Sequence, residues 1–80
     1  METFYAFAGN TGEISEAFES WDDAAMEVDI EDGLCEFNCI LSVVDGVIDE
    51  VHYVNDDEDF ERDEDSDMLE RPISDFLRAG

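Results

Sequence analysis

The chain has no lysine, and its three arginines (Arg62, Arg71, Arg78) stand against 25 aspartates and glutamates in 80 residues. Phosphate contact needs clustered basic side chains, so direct nucleic-acid binding is excluded on electrostatic grounds. Anionic lipid surfaces would repel the chain for the same reason. No apolar run approaches the roughly 20 residues of a membrane-spanning helix. The first residues lack the basic stretch of a signal peptide. Histidine is nearly absent too. His52 is the single imidazole, and no nucleophile has a base near it in sequence. Carboxylates abound, but acid/base chemistry needs one held neutral by its surroundings, and none is singled out. No catalytic residue, cofactor or metal is expected. Cysteine is scarce as well. Cys35 and Cys39 on one extended strand would be about 13 Å apart, beyond disulfide reach. They are expected as two core thiols in a reducing compartment.

Apolar residues are not scarce. They make up 44% of the chain, and six Phe, two Tyr and Trp21 are among them. A disordered acidic tail would lack both aromatics and β-branched residues. The sequence therefore specifies a single folded domain over residues 1–80, near the lower size limit for a self-sufficient core. A net charge of −22 opposes compaction. Pairing with a second copy would offset that repulsion, so a homodimer is compatible with the composition.

Thr3 to Ala8 (T-F-Y-A-F-A) reads as a strand and Gly9 to Gly12 as a loop. From Glu13 to Val28, Ile14, Ala17, Phe18, Trp21, Ala25 and Val28 recur at helical spacing. Thr11 would cap that helix. A competing parse starts a shorter helix at Ser20, where S-W-D-D resembles a capping box, and makes Glu13 to Phe18 a second strand. The long helix is preferred because one face accounts for more residues.

Asp29 to Gly33 reads as a turn. Leu34 to Val44 and Val47 to Val54 form a hairpin around Asp45-Gly46. A two-residue turn would pair Val44 with Val47, and hence Cys39 with His52. A three-residue loop would pair Val43 with Val47 and Cys39 with Val51. The second register collects Cys35, Phe37, Cys39, Leu41, Val43, Val47, Val51 and Tyr53 on one face, with Asp49 as the polar intruder. One clean face is what burial favours, so the three-residue loop is expected, with His52 on the solvent side.

Asn55 to Asp67 holds nine acids and one arginine. A like-charge block of this kind favours loop or disorder, with Phe60 as its anchor. From Asp59, the residues Asp59, Glu61, Asp63 and Glu70 fall at calcium-loop positions, but the sixth is Glu64 where the turn requires glycine. Pro72 to Arg78 reads as a short helix with Pro72 in its first turn. The expected fold is α+β: a small antiparallel sheet, made of the N-terminal strand plus the hairpin, packed against one amphipathic helix, with a short C-terminal helix.

The acids have a pattern. Ordinary solvated helices mix signs, whereas Glu19, Asp23 and Glu27 follow one another at four-residue steps with no cation between. On the long helix, Glu16, Glu19, Asp22, Asp23 and Glu27 would share the outer face. Asp29, Glu31 and Asp32 would continue it. The second block holds Asp56, Asp57, Glu58, Asp59, Glu61, Asp63, Glu64 and Asp65. Helical carboxylates would rise about 4.5 to 6 Å per step, comparable with duplex phosphates at about 3.4 Å per step along each strand. Phe60 and Met26 sit among the acids as candidate apolar anchors.

With that helix face and the run Asp56 to Asp67, the chain resembles the DNA-mimic inhibitors of phages and mobile elements. These are the anti-restriction proteins, the anti-CRISPR proteins and the uracil-DNA glycosylase inhibitors. The resemblance lies in charge and size rather than in an alignable motif. It implies a stoichiometric inhibitor in the cytoplasm of a bacterial host cell. Its partner would be a basic nucleic-acid-binding protein or ribonucleoprotein complex, with an anti-CRISPR role somewhat ahead of anti-restriction. Two other readings fit the acid excess: an acidic adaptor or antitoxin-like module on a basic protein, and a salt-adapted haloarchaeal protein. Neutralising Asp22, Asp23 and Glu27 together is expected to weaken inhibition and, by relieving repulsion, to raise thermal stability.

Overall fold

The computed structural model describes residues 2–9, 11–28, 37–54 and 59–77. Within them lie β1 (Glu2–Phe7), α1 (Trp21–Glu27), β2 (Cys39–Val44), β3 (Val47–Val54), β4 (Phe60–Arg62) and α2 (Ser74–Leu77). The strands form one antiparallel sheet in the order β1-β2-β3-β4. This is the expected α+β class with one more strand, because part of the acidic run is β4. The expected turn at Asp29–Gly33 and the start of the strand at Leu34 to Glu36, with Cys35, lie outside the described residues.

Both faces of the sheet are covered, not one. Tyr5, Phe7, Cys39, Leu41, Val43, Ile48, Val51 and Ile73 form one buried cluster, joined by Ile14, Met68, Leu69 and Phe76. Ala6, Ala24, Val28 and Ile40 form the other, joined by Phe4, Phe18, Trp21, Phe37, Val54 and Phe60. The reason is visible in β1. Phe4 and Ala6 point one way and Tyr5 and Phe7 the other, so the strand is apolar on both sides. Such runs are typical of strands covered on both faces.

The long helix does not form. α1 begins after Ser20, whose Oγ accepts a hydrogen bond from the Asp23 N–H at 3.2 Å. The capping box therefore sets its start. Residues 13–18 instead line the outer edge of β1. The Phe4 and Phe18 amides and carbonyls bond reciprocally at 2.9 and 2.8 Å, and the Ser15 N–H donates to the Ala6 carbonyl at 2.9 Å. Unpaired edge N–H and C=O groups are costly wherever they are buried, and this pairing outweighs the helical periodicity. Thr11 is not a helix cap; its Oγ1 accepts from the Glu13 N–H in a local turn.

The pairing slips by one residue between the Phe4–Phe18 and Phe7–Ile14 bridges. Ser15 Oγ fills the irregularity by accepting from the Ala6 N–H at 2.8 Å. That one-residue slip sends Ile14 to one cluster and Phe18 to the other.

The hairpin differs from both expected registers. Asp45 (φ 54°) and Gly46 (φ 82°) are both left-handed, so the loop is a two-residue turn pairing Val44 with Val47. Two positive φ values are the signature of the turn whose twist matches the strands. A bulge then shifts the register, so that Leu41 faces Val51, Ile40 faces His52 and Cys39 faces Tyr53. Asp49 is the extra residue. The bulge turns Ile48 inward beside Val43 and leaves Val47 exposed, which removes the polar intruder without a three-residue loop.

His52 is not on a solvated face. Its ring lies 4.8 Å from that of Trp21, and its Nδ1 is buried with no hydrogen-bond partner among the described residues. Near the C-terminus, Pro72 bridges Val47 instead of opening a helix, and Ile48 exchanges backbone hydrogen bonds with Arg71 and Glu70 at 2.9 and 2.8 Å. Only Ser74–Leu77 is helical. Arg78 lies outside the described residues.

Candidate acidic interaction surface

α1 splits cleanly into two sides. Ala24 is buried and Val28, just past the helix, joins it, while Asp22, Asp23, Met26 and Glu27 are exposed. Trp21 holds the helix down, with edge-on contacts to Phe4, His52 and Phe60 at 6.2, 4.8 and 5.4 Å between ring centroids. The three carboxylates thus stand on a firmly seated element, with Met26 projecting between them at 75% exposure. A shallow depression beside it is lined by Asp22, Ala25, Met26 and Val28.

Local electrostatics treat these acids differently. Asp22 and Asp23 lie in the first turn, where the helix dipole favours negative charge. Glu27 lies in the last turn, which has no basic residue, and there the dipole opposes it. The helix dipole therefore adds to the expected stabilisation on neutralising Glu27 and works against it at Asp22 and Asp23.

The other expected residues scatter. Glu16 and Glu19 are exposed but lie before the helix, so the five-residue acidic helix face is reduced to three. Asp29, Glu31, Asp32, Asp56, Asp57 and Glu58 lie outside the described residues. Asp59 is exposed at the entrance to β4. Phe60 is no exposed anchor; it packs half-buried in the cluster under α1, against Trp21. Glu61 accepts a 2.7 Å hydrogen bond from the Tyr53 hydroxyl. Asp63 is half-buried, and its Oδ1 accepts from the Asp65 N–H at 3.2 Å. Glu64 and Asp65 are exposed.

Glu64 and Asp65 belong to a feature that the sequence did not reveal. An open groove of about 640 Å³ is lined by Val44, Val47, Ile48, Asp49, Glu64, Asp65, Ser66, Leu69 and Glu70. It opens where the edge of β3 changes partners. The Asp63 N–H bonds the Val51 carbonyl on one side, and the Glu70 N–H bonds the Ile48 carbonyl on the other. The Asp49 bulge lies between. Ile48 and Leu69 belong to the cluster on the face away from α1. The α1 carboxylates and this groove therefore lie toward opposite sides of the sheet. The signal in the sequence was V-V-D-G-V-I-D, whose broken alternation is what a bulge produces.

The two described arginines pair with other carboxylates. Arg62 Nε lies 3.4 Å from Glu50, and Arg71 Nη2 lies 3.4 Å from Asp75 with its guanidinium over the Phe76 ring.

Two groups titrate unusually. Burial, reinforced by Asp63, pushes the Cys39 thiol up, so it remains an unreactive core thiol. The hydrogen bond to Glu61, and then its charge, pushes the Tyr53 phenol above its ordinary value. A folded-state pKa raised in this way contributes stability that is complete below the unfolded value near 10 and is lost as pH rises through the folded one. In a Tyr5→Phe background, the tyrosinate absorbance of Tyr53 should titrate above pH 10 and move down in Glu61→Ala. An unmoved midpoint would mean that the bond is not kept in solution.

Among the described residues, no group of three or more His, Cys, Asp or Glu side chains is arranged to hold a metal ion, and no helix is long and apolar enough to cross a membrane. No protein-family model, curated protein or solved structure matches the chain.

Proposed function

We propose that the protein is an acidic DNA mimic, a non-catalytic inhibitor that occupies the basic nucleic-acid-binding groove of a host defence nuclease or CRISPR effector complex. It would act in the cytoplasm of a bacterial host. The observation that carries the reading is the exposed side of α1, where Asp22, Asp23 and Glu27 surround a protruding Met26. Asp23 and Glu27 are separated by about 6 Å of helix axis. That is close to two phosphate steps of about 3.4 Å along a DNA strand.

In this mechanism the net charge speeds encounter and sets orientation. The α1 carboxylates replace phosphates against lysines and arginines of the target. Met26 supplies the apolar contact that DNA cannot make, and so favours the mimic over the nucleic acid. Counterions leave the target's groove as they would for DNA, so binding weakens with salt.

Tagged protein should retain a basic nuclease or surveillance complex from a nuclease-rich bacterial lysate at about 100 mM salt, and duplex DNA should release it. A partner held through added DNA and lost only at high salt would instead identify an acidic adaptor. Against the captured target, Asp22→Asn with Asp23→Asn and Glu27→Gln should weaken inhibition by about tenfold, as expected for three exposed charge pairs. Full inhibition by that triple variant would remove α1 from the contact surface.

A further inference from the structure

The groove beside the Asp49 bulge is outside the α1 surface. Its lining combines the apolar Val44, Val47, Ile48 and Leu69 with Ser66 and the carboxylates of Asp49, Glu64, Asp65 and Glu70. Asp49 stands on the β3 side, Glu70 where the returning chain meets β3, and Glu64 and Asp65 on the turn after β4. Among the described residues no arginine pairs with any of these four carboxylates; Arg62 and Arg71 are engaged by Glu50 and Asp75. Val47 is an exposed apolar residue, at 40%.

We propose that this groove seats an arginine side chain of the basic partner. The occupant follows from complementarity of both kinds. The methylene stem of an arginine covers apolar surface while its charged head remains polar, which matches a groove lined by both Val47 and Leu69 and by carboxylates. The guanidinium presents five N–H donors in a planar fork, enough to reach carboxylates on two walls at once. A lysine ammonium is a strongly hydrated point charge and lacks that fork. One of the molecule's own guanidiniums combines an apolar and a carboxylate contact: Arg71 lies 5.3 Å over the Phe76 ring while bonded to Asp75. The proposal rests on the reading above only in taking the partner to be basic. It places a second contact across the sheet from α1, so a target engaging both would have to clasp the domain around the β4 edge.

The test uses the full ¹⁵N-labelled chain and an uncharged-ended pentapeptide carrying two arginines, with its lysine counterpart, at about 100 mM salt, where exposed charges beyond about 10 Å are screened. Amide shifts should saturate and concentrate at residues 47–49 and 64–70, and the arginine peptide should bind more tightly than the lysine one. Glu64→Gln with Glu70→Gln should weaken binding about fivefold, whereas the equal charge change Glu16→Gln with Glu19→Gln should weaken it less than about twofold. Val47→Ser, which leaves every charge in place, should also weaken it. Shifts spread evenly over all acidic segments, equal losses in the two charge pairs, or equal affinity for the lysine peptide would each overturn the proposal. None of those results bears on the DNA-release experiment, so the groove and the α1 reading can fail separately.

Discussion

Trp21→Ala is expected to lower the melting temperature by about 15 °C or more and to release α1 from the sheet. Large-to-small aromatic changes in a core cost about 3 to 5 kcal/mol, and each kcal/mol moves the midpoint of a domain this size by about 4 to 8 °C. Trp21 is half-buried, which places it near the lower end of that range. Its effect is nevertheless broad, because the indole touches Phe4 of β1, His52 of β3 and Phe60 of β4. One side chain therefore joins three strands to the helix. An 80-residue domain has only about 5 kcal/mol in reserve, so a loss of about 3 kcal/mol leaves about 2 and raises the unfolded fraction to a few per cent. Trp21→Phe retains an aromatic edge and should lose less. Far-UV circular dichroism melts of the three proteins decide the matter. A Trp21→Ala midpoint within a few degrees of the parent would show that α1 is held by something else.

Raising KCl from 10 mM to 500 mM should raise the melting temperature of the unaltered protein by about 10 °C, with most of the gain below 200 mM. The Debye length falls from about 30 Å at 0.01 M to about 8 Å at 0.15 M. The molecule measures 32 × 25 × 23 Å. In dilute buffer every carboxylate therefore repels nearly every other, and at 0.15 M only neighbours interact. NaCl at equal ionic strength should act alike, because screening depends on ionic strength. A salt-adapted protein would behave differently and continue to gain stability into molar KCl. A flat profile would mean that the −22 charge has little effect on the folded state, and the argument that the acids are placed for a partner would weaken with it.

The same balance of charge and burial explains which features could be read from the chain. β1 and β3 were legible to within a residue because their composition and bounding turns are local signals. The start of α1 was legible too, in Ser20 and Asp23, but its helical extension competed with it. The longer helix was the better reading of residues 13–28 taken alone. It failed because β1 needs partners along its outer edge, and residues 13–18 supply them. The hairpin itself was legible in Asp45-Gly46, but the three-residue loop gives way for a related reason. A rigid pairing from either turn misses the register, because the chain uses the tight turn and then a bulge at Asp49 to bury Ile48 and Val51 on one face.

Of the acidic surface, exposure at Asp22, Asp23 and Glu27 followed from helical spacing, and it survived the shortening of the helix. The groove at Asp49, Glu64, Asp65 and Glu70 did not follow from spacing. Its walls come from segments that meet only because β3 changes partners along its edge. Phe60 is half-buried rather than exposed, because its strand pairs with β3 and turns it under α1.

The sequence by itself determined an acidic, apolar-cored α+β domain: composition sets the charge, and short-range turn and cap chemistry sets most of the elements. Tertiary structure alone decided that the sheet is covered on both faces, that residues 13–18 form an edge partner, and that carboxylates distant in sequence share a groove. Those outcomes depend on pairing every backbone group at a strand edge, and the residues that satisfy an edge are not required to be near it in the chain.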